Sequence, residues 1–104
     1  MTVNTYFTSG IETYIKKGEL CESEVLGALM RFSLNDWGEL SKEDKDVQYE
    51  LLKLENAKKT ERFMGVYTYF DTKFWIMSDY DCTIDTLVIT VLLPGGHFLI
   101  FLGK

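Results

Sequence analysis

The chain has one histidine, His97, and two cysteines, Cys21 and Cys82, which stand far apart and outside any CxxC pair. Tetrahedral zinc takes about four nitrogen or sulfur ligands, and three scattered ones do not provide them. The two cysteines read instead as reduced, mostly buried thiols. No run of eighteen apolar residues occurs, so no helix is written to cross a membrane. The N-terminus lacks a basic stretch followed by an apolar one; no secretory signal is read, and the expected compartment is the cytoplasm. Glycine-rich phosphate loops, GxSxG and HExxH are all missing. No catalytic residue is assigned, and no cofactor is expected.

Basic patches are missing too. The 104 residues carry a net charge of −5, and a mildly acidic chain repels phosphate backbones, which argues against direct nucleic-acid binding. The charge is uneven. Residues 1–61 hold twelve acids and eight bases, whereas residues 62–104 hold four acids and three bases. A charged half followed by a nearly bare one suggests solvated helices laid over a buried sheet. The length suits one domain, 1–104, with a core of its own.

What is present is organised around Arg62–Pro94. Three runs rich in aromatic and β-branched residues (Phe63–Phe70, Lys73–Ser78 and Thr86–Leu93) are separated by short polar segments, the pattern of consecutive antiparallel strands. Asp71-Thr72 is the expected tight turn. Upstream, Asn4–Phe7 reads as a short strand joining the same sheet. Three helices are expected between them. The first starts at Ser9 with Glu12 as a reciprocal capping box and stops at Gly18. The second spans about Glu22–Phe32, with Val25, Leu26, Leu29 and Met30 as its apolar stripe. The third opens at Ser41 and runs to Lys58, burying Val47, Leu51 and Leu54. Helices grouped before strands predict an α+β fold: about three helices on one face of an antiparallel sheet of four or five strands. The last apolar run, His97–Leu102, is expected to form a final strand or a partner surface, and Phe98–Leu102 is a candidate homodimer edge.

Two places stand out as sites. In Asn35–Leu40, Trp37 either anchors a partner, as interface tryptophans do, or closes the helical layer onto the sheet. With the first reading goes a partner-binding surface of Asp36, Trp37, Glu39, Glu43, Asp44 and Asp46. The second place is the polar loop Ser78–Asp85, where Asp79, Asp81 and Asp85 could ligate calcium or magnesium through oxygen or simply be solvated. The spacing does not match an EF-hand.

The motifs Asp36-Trp37-Gly38-Glu39-Leu40, Glu43-Asp44-Lys45, Trp75-Ile76-Met77-Ser78-Asp79 with Asp81, and Thr90-Val91-Leu92-Leu93-Pro94 occur in this order. Together they resemble a family of small bacterial proteins carried on plasmids and integrated mobile elements. Gln48 stands where that family has an asparagine, and Cys82 where it has an arginine. The resemblance implies a genomic setting and no particular chemistry. The expectation is thus an accessory protein that binds another protein. An acidic nucleic-acid mimic that inhibits a host nuclease or defence system, and a small metal-binding protein or enzyme using the Asp79–Asp85 loop, are the alternatives.

Overall fold

A computed structural model describes residues 1–94. These residues form strand β1 (Thr2–Phe7), helices α1 (Ser9–Lys16), α2 (Glu22–Ser33), α3 (Lys42–Leu51) and the single turn α4 (Ala57–Thr60), and then strands β2 (Phe63–Tyr69), β3 (Thr72–Asp81) and β4 (Thr86–Leu92). The fold is α+β, with four helices packed with a four-stranded sheet among the described residues. The expected final strand at His97–Leu102 lies outside the described residues.

The sheet order is β1-β4-β3-β2. Strands β2, β3 and β4 form the expected antiparallel meander. Strand β1 lies parallel to β4, Thr2 opposite Thr86 and Phe7 opposite Val91, so the sheet is mixed and not wholly antiparallel. Composition cannot reveal this, because a neutral six-residue strand pairs in either direction; the long helical crossover sets it.

Register then decides which side chains meet the helices. Phe63 and Tyr67 on β2, Phe74 and Ile76 on β3, and Leu87, Ile89 and Val91 on β4 share one face and pack with Ile11, Val25, Ala28, Phe32, Trp37 and Ala57. Burying such side chains is worth roughly 1.5–3 kcal/mol each and is the main force holding the layers together. Met64, Val66, Trp75, Met77 and Val88 occupy the opposite face and are only half-buried.

Several local expectations need correction. The first helix is capped by Thr8 without a side-chain bond, so the Ser9–Glu12 box does not form. Gly18 does take the left-handed stop, at φ 77°. On α2 the buried residues are Val25, Ala28 and Phe32, while Leu26 and Met30 face solvent. Ser41 caps α3 by accepting from the Asp44 N–H at 3.1 Å. That helix ends at Leu51, because the chain turns and Asn56 adopts φ 57° before α4. Val47 and Leu54 are exposed at 58% and 50%; the buried residue of α3 is Gln48. The β2–β3 turn is Phe70-Asp71, one residue earlier than expected, with Phe70 at φ 52°. Both cysteines are exposed thiols.

Candidate functional site

Asp36-Trp37-Gly38 forms a clamp on the edge of β2. The Arg31 guanidinium donates to the Asp36 carboxylate at 2.8 Å and 3.3 Å, and the Gly38 N–H donates to it at 3.0 Å. The Tyr67 hydroxyl donates to the Asp36 carbonyl at 2.7 Å. On the main chain, the Val66 N–H donates to Trp37 O and the Glu39 N–H to Val66 O, at 3.1 Å and 2.7 Å. Arg31 and the Gly38 amide hold the Asp36 carboxyl below its ordinary value, while burial and the nearby Asp36 charge push the Tyr67 hydroxyl well above its own. These bonds fix the turn's shape.

Trp37 itself is 1% exposed. Its ring lies 4.6 Å from Tyr49 and 6.0 Å from Phe63, centroid to centroid. A side chain so enclosed cannot anchor a partner, which corrects that part of the predicted surface. Its indole N–H is buried and, among the described residues, has no acceptor. The companion carboxylates Asp36, Glu39, Glu43, Asp44 and Asp46 do lie at the surface. Two of them are neutralised in place: Asp36 by Arg31, and Asp46 by Lys42 at 2.9 Å.

The three aspartates of the second candidate do not converge. Strand β3 extends to Asp81, so Asp79 and Asp81 project from one face of a strand and the loop shrinks to Cys82–Asp85. Asp79 pairs with Arg62 at 3.3 Å. Asp81 accepts from the Thr83 hydroxyl and amide, at 2.6 Å and 3.0 Å, which hold its carboxyl low. Asp85 turns to the other side, where Tyr80 donates its hydroxyl and Lys59 and the N-terminal amine lie nearby. That bond lowers the Asp85 carboxyl and pushes the Tyr80 hydroxyl up to about 12. Among the described residues no three acidic, thiol or imidazole groups are placed to hold a metal ion. The predicted cation site is therefore not assembled.

The two edges of the sheet differ, and sequence reading missed this. On β2 the outward groups of Met64 and Val66 are taken, Val66 by the Trp37–Glu39 clamp and Met64 by Gln48; only Thr68, at the hairpin end, is left. The Gln48 amide donates to Met64 O at 3.1 Å and accepts from Met64 N–H at 2.9 Å, acting as a short piece of neighbouring strand. On β1 the N–H groups of Thr2 and Thr8 donate to the carbonyls of Asp85 and Val91. In a parallel ladder the alternate residues, Val3, Thr5 and Phe7, then turn their main-chain groups outward. No strand pairs with that edge among the described residues. Val3 and Tyr6 are exposed, and Thr2–Phe7 contains no charge, no proline and no glycine. Edge strands normally carry such guards against pairing.

A groove opens beside this edge, lined by Val3, Leu29, Phe32, Lys58, Leu87 and Ile89 among others, with a volume of about 280 Å³. Lys58, the expected last residue of the third helix, lies instead in the separate turn α4, which places it beneath α2. No helix among the described residues is long and apolar enough to cross a membrane. The chain matches no protein-family model, no curated protein and no solved structure.

Proposed function

We propose that this chain is a protein-binding module that takes an extended segment of a partner protein onto the outer edge of β1. The observation that carries this reading is the contrast between the two edges. One is closed at Met64 and Val66 by Gln48 and the Trp37–Glu39 clamp; the other, among the described residues, presents the main-chain groups of Val3, Thr5 and Phe7 with no guarding residue. Strand addition draws affinity from main-chain bonds and specificity from alternate side chains. The groove beside Val3 is placed to take one of those side chains.

The residue pattern alone supports the wider setting, an accessory protein of a plasmid or integrated element acting in the cytoplasm. Nucleic-acid mimicry is less well supported, because a mimic needs a dense acidic face and Arg31 and Lys42 neutralise two of its five exposed carboxylates.

The test is capture from host lysate with wild-type protein and with Thr5→Pro, followed by amide exchange of the complex. The Thr5 N–H points away from β4, so proline there leaves the ladder intact and blocks only the outer edge. The reading requires a partner that is lost in Thr5→Pro and that slows exchange at Val3, Thr5 and Phe7. A partner that binds the variant equally well, or that protects other amides, contradicts it.

A further inference from the structure

The groove beneath α2 contains a cation that has no counter-ion among the described residues. Lys58 Nζ donates to Asn35 Oδ1 at 3.0 Å and lies over the rings of Phe63 and Phe32, 4.5 Å and 5.7 Å from their centroids. An ammonium has three N–H donors, and Asn35 occupies one. No carboxylate pairs with it among the described residues, although neighbouring Lys59 reaches Asp85. Burial lowers the Lys58 pKa, as expected for a charge drawn out of water.

The surroundings define what such a cation would attract. The walls are aliphatic and aromatic, chiefly Leu29, Phe32, Leu87 and Ile89. Small-ligand sites have this character: apolar walls with a few placed polar groups. Met1 also lines the groove, but its N-terminal ammonium pairs with Asp85 at 3.5 Å, so Lys58 leaves one positive charge to balance; a phosphate dianion would leave a charge uncompensated in an apolar cleft, at high cost. The volume of about 280 Å³ limits the ligand to a small molecule.

We propose that this cleft binds a small apolar carboxylate, with its carboxylate on the Lys58 ammonium and its hydrocarbon against Leu29, Leu87 and Ile89. The proposal stands on the unpaired cation and the cleft. It does not depend on strand addition at β1, because the cation and the cleft belong to the free protein; a partner side chain seated in the groove would compete with the ligand.

Octanoate and its neutral analogue octanol are the probes, titrated calorimetrically into wild-type protein, Lys58→Met and Lys58→Arg. Wild type binds octanoate at least tenfold more tightly than octanol. Lys58→Met levels the two, and Lys58→Arg keeps the preference. Should Lys58→Met fail to fold, methyl resonances of wild-type Leu29, Leu87 and Ile89 still report occupancy, shifting with octanoate at concentrations where octanol leaves them still. Equal binding of both probes to wild type, undiminished octanoate binding by folded Lys58→Met, or no binding of octanoate overturns the proposal.

Discussion

Gln48 and Met64 exchange two hydrogen bonds across the edge of β2, the side-chain amide of one matching the peptide group of the other. A buried glutamine on a helix is thereby used as a strand surrogate, and it joins α3 to the sheet. Removing the amide leaves a part-buried N–H and C=O without partners. Gln48→Ala should destabilise the fold by about 2 kcal/mol, read by urea denaturation. Gln48→Glu should also destabilise it, because a carboxylate cannot donate to the Met64 carbonyl. If either variant matches wild type, the pair is incidental.

Trp37 belongs to the same edge but acts through packing. Trp37→Ala should cost about 3–5 kcal/mol, visible as a large drop in melting temperature. Any loss of partner binding by this variant would then follow from unfolding. A Trp37→Ala protein with wild-type stability would contradict the placement of the indole between Tyr49 and Phe63.

Gly38 sits at φ 64°, and a Cβ there would fall inside the van der Waals radii of the Val66 carbonyl oxygen and the Tyr67 ring. Gly38→Ala should therefore break the clamp and lower stability more than a surface substitution does. The Glu39 and Val66 amides should lose protection from exchange in that variant. Retained protection would place the clamp's origin elsewhere.

The Arg31–Asp36 pair gives a pH signature. The folded-state pKa of Asp36 lies below its ordinary value of 3.8, held there first by Arg31 and then by the Gly38 amide. Its contribution is fully present above the ordinary value and is lost as pH falls through the lowered one. The pair is half-exposed, so the effect is small, under about 1 kcal/mol. Asp36→Asn should thus be slightly less stable than wild type at neutral pH, with the gap closing in acid below the ordinary carboxylate range. A gap that persists at low pH would assign the loss to altered geometry and not to the charge.

These elements show which parts of the fold the sequence made legible. Alternation of aromatic and β-branched residues located β2, β3 and β4, and Ser41 and Gly18 marked helix ends, because capping and left-handed turns are decided within a few residues. Trp37, Gln48 and Lys58 were not legible in that way. Trp37 permitted two opposite readings, since an indole beside an acid looks the same in a core or at an interface. Gln48 and Lys58 act on partners 16 and 23 positions away. Asp79, Asp81 and Asp85 are close in sequence but divide between two faces once β3 extends to Asp81, because strand alternation overrides proximity along the chain. Val3 and Thr5 owe their outward main-chain groups to the sheet order, which places β1 at an outer edge.

The most direct test of the account compares amide exchange at the two edges in the isolated protein, resolved residue by residue by NMR. If one edge is sealed and the other is open for a partner, Met64 and Val66 exchange slowly while Val3, Thr5 and Phe7 exchange far faster, although the amides of Asn4 and Tyr6, on the β4 side, are protected. Protection of Val3, Thr5 and Phe7 equal to that of Met64 in the monomer would mean that the β1 edge is already occupied by the chain itself, and strand addition by a partner would be contradicted.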